Sequence, residues 1–359
     1  MSASPFDHPF LGSLLGDEEL QSYFTAASDI EAMLVFEAAL AEVEARFGLI
    51  TSAAAEEIRS RLGDFAPDLA DLAAGTGRDG VVVPSLLRQI RSGLSAEAAA
   101  ALHRGATSQD VIDASLAMRM QGVSLVLDQR LAALGNAFAE WGLEAGDREV
   151  MAHTRMQAAK PVRFSCKIAA WSDPLTRCRL RREEIAPRAF ALRLGGPVGD
   201  RRGFGDEAER FASEVAARLG LYPAPGSLHS ERDGIAELGG WFSMITGALG
   251  KFGQDAALSL QNEVGELVLE GGGGSSAMPH KNNPVGAETL VTLARFNATL
   301  VSGLHHALVH ENERSGAAWS LEWMILPQMA IAAGAATRTA QDLVAHLSLA
   351  EEPAVPPTP

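Results

Sequence analysis

Residues 270–288, EGGGGSSAMPHKNNPVGAE, place two hydroxyls, Ser275 and Ser276, behind four consecutive glycines and ahead of a cation, Lys281. Glycine loses the most backbone freedom on ordering, so Gly271 to Gly274 read as a mobile hinge rather than the interior of a helix or strand. Asn283-Pro284 has the form of a helix start, with asparagine at the cap and proline at the first helical position. A hydroxyl, a positive charge and a helix N-terminus on one flexible loop suit a small anion whose negative charge grows during reaction. Read bare, the same string is a glycine-serine surface linker followed by a capped helix. Such a linker needs neither Lys281 nor the proline punctuation.

Three further stretches carry groups that could act on an anion. In His103-Arg104-Gly105-Ala106-Thr107-Ser108-Gln109-Asp110, Thr107 and Asp110 stand three apart as a capping box, which by itself predicts no more than a capped helix. Free N–H groups and hydroxyls at such a start also form an anion site. His153-Thr154-Arg155-Met156-Gln157 precedes Lys160-Pro161. Lone histidines and arginines beside a helix start are more often structural or solvated than catalytic. Arg155 stays charged at neutral pH, so it cannot donate a proton there, but its planar fork can hold a carboxylate. His310 to Ser315, followed by Trp319, Glu322 and Trp323, interrupts two apolar helices and reads as a solvated turn when taken alone. Arg232-Asp233 reads as an ordinary ion pair at a helix start.

These groups must be positioned by helices. Residues 17–49 read as a long helix, with shorter ones at 51–62 and 67–74, a loop at Gly75 to Gly80, and an extended piece at Val81 to Pro84. From Asp110 the scale changes. Ile112, Leu116, Met120, Val123, Leu127, Leu131, Leu134, Phe138 and Trp141 make one unbroken apolar stripe to about Gly146. A second stripe, from Ile235 through Leu249 to Leu267, runs close to a 3.5-residue repeat. The predicted bundle helices are 110–146, 157–185, 229–269, 284–309 and 321–348, an all-α architecture. The chain divides into an N-terminal helical domain, 1–109, a central long-helix domain, 110–350, and a disordered tail, 351–359. Helices of this length are hard to satisfy within one compact subunit, so oligomerisation is expected. A charge at Leu249 is expected to split the oligomer and abolish activity together.

With 359 residues and 47% hydrophobic content the chain can bury a sizeable core. Its 30 basic and 45 acidic residues give a net charge of -15, which argues against nucleic acid or an anionic membrane surface as partner. An anionic substrate then needs a locally basic pocket. Cys166 and Cys178 lack neighbours at metal-ligand spacing, so neither a zinc site nor a disulfide is expected. No leader-like or membrane-spanning stretch stands out, and the cytoplasm is the expected compartment.

GSSAMPHKNNP resembles, almost letter for letter, the GSSxMPxKxNP signature of the fumarase/aspartase superfamily. HRGATSQD is similar to that family's HxGATSQD, and Thr154, Gln157, Ala159 and Pro161 match its GRTHxQxAxP. Two positions depart from the last pattern: His153 stands where it has arginine, and Arg155 where most lyases of the family carry an acid/base histidine. The bacterial 3-carboxy-cis,cis-muconate cycloisomerase branch also lacks that histidine, its ERS…W…EW segment resembles Glu313 to Trp323, and Arg232-Asp233 matches the family's RD pair at the start of the long helix.

The resemblance runs from about His103 to Trp323 and implies a homotetramer in which each active site draws its three signature regions from different subunits. It implies Ser275 as proton carrier, Lys281 and His103 as catalytic partners, and Thr107, Ser108, Arg155, Gln157, Ser276, Asn283, Arg314 and Ser315 as contacts for a small polycarboxylate. No cofactor and no metal are implied. Family members continue into a further C-terminal helical domain, whereas this sequence stops soon after its last bundle helix. The implied activity is cofactor-free cycloisomerisation in protocatechuate degradation. Two alternatives stay open: a lyase releasing fumarate, such as one acting on adenylosuccinate or argininosuccinate, and a non-catalytic, crystallin-like bundle.

Overall fold

A computed structural model of the chain describes residues 4–274, 278 and 281–351. Seven helices lead into the bundle: α1 (Gly12–Leu15), α2 (Glu18–Ser22), α3 (Ala26–Arg46), α4 (Ser52–Gly63), α5 (Leu69–Asp79), α6 (Val83–Arg91) and α7 (Ala96–Ala101). The single helix predicted over 17–49 is two, because Asp17 caps α2 and Thr25 caps α3, each accepting a backbone N–H with its side chain. The loop predicted at Gly75 to Gly80 is the last turn of α5. Gly75 is tolerated there because the Ser85 side chain occupies the space a Cβ would need. Val83 and Pro84 begin α6 rather than ending an extended piece, as proline in a first helical turn forfeits no hydrogen bond.

The bundle itself is α8 (Ser108–Ala145), α9 (Phe164–Ala189), α11 (Asp233–Ser259), α12 (Val285–His306) and α13 (Gly316–His346), with the shorter α10 (Ala208–Leu219) packed on α3. Every residue of the first predicted stripe, Ile112 to Trp141, is buried. α8 packs against α3, α9 and α13, and α11 sits centrally against α9, α12 and α13. The core is continuous from Phe6 to Leu347.

Two features break the all-helical expectation. Residues 157–163 extend as β2 (Gln157–Arg163), paired antiparallel with β1 (Glu149–Thr154), so α9 begins seven residues later than predicted. The second stripe also outlasts its helix. Gly265 N–H and Val264 N–H both donate to Gln261 O, at 2.7 and 2.9 Å, and Gly265 takes φ 54°. The chain therefore turns into β3 (Leu267–Leu269), which pairs with β4 (Leu347–Leu349) after α13.

Leu249 is fully buried within a single chain, as are Phe242, Ile245 and Phe252. A charge there would disrupt the protomer's own core, so Leu249→Asp is not a selective probe of assembly. Apolar side chains that one chain leaves exposed include Leu143 on α8, Leu180 on α9, Met244 on α11 and Met324 on α13.

Glycine inside α11 costs helix stability, yet a Cβ at Gly250 would lie 2.5 Å from the Ala294 Cβ, and one at Gly253 would lie 2.6 Å from the Ala287 carbonyl oxygen. These glycines let α12 approach closely. Gly253→Ala should therefore destabilise the protein by about 1–3 kcal/mol despite alanine's higher helix propensity. A thermal or urea melt checks the sign, and a more stable variant would show that helix propensity, not close packing, governs this position.

Candidate active site

The start of α8 is held by one buried carboxylate. Asp110 Oδ2 accepts the Thr107 N–H at 2.8 Å and the Gly196 N–H at 3.0 Å, while Oδ1 accepts the Gly195 N–H at 2.7 Å and lies 2.8 Å from His229 Nε2. The capping box predicted from Thr107 and Asp110 is therefore present, and Asp110 also pins the 195–196 loop against it. Backbones pass closely here. A Cβ on Gly196 would meet the Gly105 carbonyl oxygen at 2.7 Å, and one on Gly203 would meet Gly105 Cα at 2.8 Å.

Gln109 and Asp113 carry the order further. Gln109 Nε2 donates to the His229 carbonyl at 2.9 Å, and its Oε1 accepts from Arg314 Nε at 2.8 Å. Arg314 also reaches the Pro197 carbonyl, at 3.3 Å. Ser315 is buried as the cap of α13, accepting the Ala318 N–H at 3.2 Å. Arg232 is no solvated ion pair: it is buried between Asp113 Oδ2, at 2.6 Å, and Glu322 Oε2, at 2.5 Å. Trp319 Nε1 donates to Asp113 Oδ1 at 3.0 Å. Burial alone would raise the Asp113 carboxyl, but the Arg232 charge outweighs it and holds Asp113 below the ordinary value. Burial also pushes the neighbouring Arg193 guanidinium down to about 10, with the Arg232 charge adding to the effect. At the other end of the segment, His103 Nδ1 lies 2.7 Å from Glu37 Oε1, and Arg104 donates to the Gly203 carbonyl at 3.0 Å.

Arg155 lies elsewhere. It and Met156 form the two-residue turn between β1 and β2, at φ 49° and 64°. Hairpin turns with both central residues at positive φ favour Asn and Gly, so an arginine and a methionine here carry backbone strain. Both side chains are exposed, and among the described residues Arg155 makes no hydrogen bond or ion pair. Gln157 donates only to the Met156 carbonyl. Behind the hairpin a cavity of about 660 Å³ is lined by His153, Gln157, Lys167 and Lys251 among others.

The glycine loop occupies a third place. Ser275 and Ser276 lie outside the described residues, whereas the ends of the loop are described. Gly273 and Asn283 exchange backbone hydrogen bonds at 2.9 and 2.8 Å, so the run is bridged within its own length. A Cβ on Gly272 would collide with the Asn282 side chain, and one on Gly273 would sit 2.6 Å from Val285 Cγ2. These two glycines are therefore required for close approach. α12 starts at Val285 with Pro284 at its cap, one residue later than the sequence suggested. The Asn283 side chain braces the loop instead of capping, donating to the Gly274 carbonyl at 3.3 Å. Lys281 is exposed.

A lyase family profile matches residues 15–298. The chain belongs to the fumarase/aspartase superfamily. It is 35% identical to a 3-carboxy-cis,cis-muconate cycloisomerase of Pseudomonas aeruginosa over 92% of this chain and 73% of that one. Its fold is similar to the crystal structure of a 3-carboxy-cis,cis-muconate lactonizing enzyme from Pseudomonas putida. The TM-score is 0.87 at 31% identity, over 96% of this chain and 78% of that one. A fumarate lyase from a Mesorhizobium species gives a TM-score of 0.88 at 28% identity, over 95% and 78%.

Within one protomer of this superfamily member, the fold joins the first signature, Thr107 to Asp110, to the Arg314-Ser315 segment. It does not bring the hairpin tip to them by any hydrogen bond or ion pair among the described residues. The described loop residues Gly271 to Gly273 and Asn283 line a separate cavity of about 390 Å³ with Arg338 and His346. Sequence reasoning missed Asp113, His229 and Glu37, and noted Glu322 only within the ERS…W…EW string, not as a partner of Arg232. Asp113 had a signal: it is a charged residue inside the apolar stripe, one turn beyond Gln109. His229 and Glu37 had none, since only tertiary packing brings them to the site.

The strained turn gives a separable test. Arg155→Gly should leave the hairpin as stable or more stable by about 1 kcal/mol, because glycine adopts positive φ freely. KM for a polycarboxylate substrate should rise about tenfold or more. A variant with unchanged KM would remove Arg155 from substrate binding.

Proposed function

We propose that this chain forms a 3-carboxy-cis,cis-muconate cycloisomerase, interconverting the tricarboxylate diene with its carboxymuconolactone and serving the degradation of protocatechuate. The observation that carries the reading is Arg155 at the exposed hairpin tip, the position where most lyases of the superfamily hold a histidine. Expelling an amine or hydroxide requires a proton for the leaving group, whereas opening a lactone expels a carboxylate that is stable unprotonated near neutral pH. An arginine there cannot donate a proton but can grip a carboxylate. Similarity to the cycloisomerase of Pseudomonas aeruginosa and the lactonizing enzyme of Pseudomonas putida supports the same choice.

In lactonisation one carboxylate oxygen adds to the double bond, and a proton is delivered to the carbon beside another carboxylate. Charge passes through an enediolate-like intermediate, stabilised by Lys281, the second N–H of the Asn283 amide and the start of α12. Losing one such donor costs about 3 kcal/mol of barrier lowering. Ser275 carries the proton, Ser276 shapes the loop, and Thr107, Ser108, Gln157 and Arg314 complete the carboxylate contacts, with Ser315 buried as the cap of α13 beside Arg314. The reaction needs no cofactor. Because no hydrogen bond or ion pair among the described residues joins the hairpin tip to the start of α8, a homotetramer pooling the signature regions between subunits is the assembly that fits, and the exposed Leu143, Leu180, Met244 and Met324 supply apolar surface for it. Among the described residues no helix is long and apolar enough to cross a membrane; the setting proposed is the cytoplasm.

Likeness to a fumarate lyase keeps one rival in play, in which fumarate is released from a succinyl substrate. A crystallin-like, non-catalytic bundle would show no turnover at all. Loss of diene absorbance when the purified protein meets 3-carboxy-cis,cis-muconate decides among the three. Fumarate from adenylosuccinate or argininosuccinate would overturn the cycloisomerase. Ser275→Ala should lower single-turnover chemistry by about a hundredfold to ten-thousandfold with substrate binding retained, and Ser276→Ala should be milder. Near-normal chemistry in Ser275→Ala would remove that serine from the mechanism.

A further inference from the structure

We propose that Glu37, on a helix remote in sequence from every signature, is a positioning residue that holds His103 by Nδ1 and leaves Nε2 to bind a substrate carboxylate as a cationic donor. The inference rests on the reading that the start of α8 receives a carboxylate, and it assigns His103 to binding rather than to proton removal.

The geometry is closed on one side. His103 Nδ1 lies 2.7 Å from Glu37 Oε1, and the Glu37 side chain is wholly buried while that of His103 is 11% exposed. His103 itself takes φ 63°, a conformation that is costly for a residue with a side chain and that persists only where surrounding contacts enforce it. Four residues further on, Thr107 begins the cap of α8, so the imidazole is carried by the segment that leads into the anion site.

Glu37 is also an expensive choice for structure alone. Its second oxygen, Oε2, is buried without a hydrogen bond. A buried carboxylate with an unsatisfied oxygen is destabilising, and a glutamine of the same shape would hold the same ring nitrogen with a neutral group. What glutamine lacks is the charge. Burial by itself lowers the His103 pKa, but the Glu37 charge and hydrogen bond outweigh it and hold the imidazole above its ordinary value.

The other charged groups around the ring are few. Asp110, on α8, adds to the elevation and Arg91, on α6, opposes it. Two turns along α3 from Glu37, Glu44 lies under the same segment, 4.0 Å from Arg104, with neither oxygen hydrogen-bonded. Burial pushes Glu44 up to about 8, against the Arg104 charge that lowers it. Around pH 7 Glu44 is therefore mostly protonated, and Glu37 supplies the charge that His103 meets. The sign follows: the cationic form of His103 prevails below its raised pKa, and carboxylate affinity declines as pH rises through it.

The test uses the intact protein with histidine labelled at Cε1 for NMR titration, His103→Asn assigning the resonance, and calorimetric binding of propane-1,2,3-tricarboxylate from pH 6 to 9. Glu37→Gln should lower the His103 midpoint, weaken tricarboxylate binding at pH 7 by about tenfold or more, and move the alkaline fall in affinity to lower pH. A thermal melt of Glu37→Gln should show it fully folded at the temperature of the binding measurement, so misfolding does not mimic the effect. Glu44→Gln should leave the His103 midpoint in place. In turnover, Glu37→Gln should raise KM more than it lowers kcat. An unmoved midpoint, unchanged affinity, or a loss confined to kcat would overturn the proposal, the last by making His103 the proton carrier. Wild-type protein that binds the tricarboxylate but does not consume the diene would sink the cycloisomerase and leave the Glu37–His103 pair standing.

Discussion

A single guanidinium fixes the geometry on which the rest of the site depends. Arg232, at the head of α11, is buried between Asp113 on α8 and Glu322 on α13, so three long helices are locked in register at one level. A buried ion pair adds little net stability compared with apolar packing, but removing one partner leaves an uncompensated charge, so intermediate arrangements are heavily disfavoured. Here that all-or-none character sets the register of the helices that carry the candidate site. With α8 and α13 held at Asp113 and Glu322, Gln109 one turn earlier on α8 meets Arg314 just before α13. The start of α8 and its neighbouring cation, Arg314, are thus placed by a network buried beneath them.

Asp110 completes the same design one residue away from Gln109. Its carboxylate serves two requirements at once, capping α8 and receiving the 195–196 backbone, and the glycines at 105, 196 and 203 exist because those backbones touch. The polar residues inside this part of the core are there to hold loops at van der Waals distance, which apolar side chains cannot do with comparable direction.

Much of this was legible in the sequence, for identifiable reasons. The 38-residue α8 was readable because its stripe from Ile112 to Trp141 never breaks period and its cap residues are of the right type. The signature strings were readable because their order of residue types is too specific to arise from a linker. The β1–β2 hairpin was hidden because Arg155 and Met156 are the wrong residues for its turn, and a local rule is broken where the residue type serves a different end. The end of α11 was hidden because Val264 and Leu267 continue the helical period after the backbone has turned at Gly265. Periodicity reports burial, and burial outlasted the helix. The partners of His103 and Arg232 were illegible for another reason: Glu37 and Glu322 lie 66 and 90 residues away, and only the packing of α3 and α13 on α8 brings them in.

The three signature regions differ in how far each is finished within one chain, and the difference is physically coherent. At the start of α8, Gln109 and Asp110 are buried and hydrogen-bonded while Thr107 and Ser108 stay half-buried, as suits a helix start that must be preorganised for charge. The hairpin tip is strained and exposed, and strain of that kind is retained where another surface is to be met. The glycine loop is pinned at its base by the Gly273–Asn283 bridge. On the proposed assembly, binding and chemistry are then divided. A rigid helix start in one subunit fixes the carboxylate, while elements from others bring the proton carrier and a second cation to it. That division explains why the costliest buried polar network sits beneath the helix start and not beneath the loop: the group that positions the substrate has to be immovable before the group that acts on it arrives.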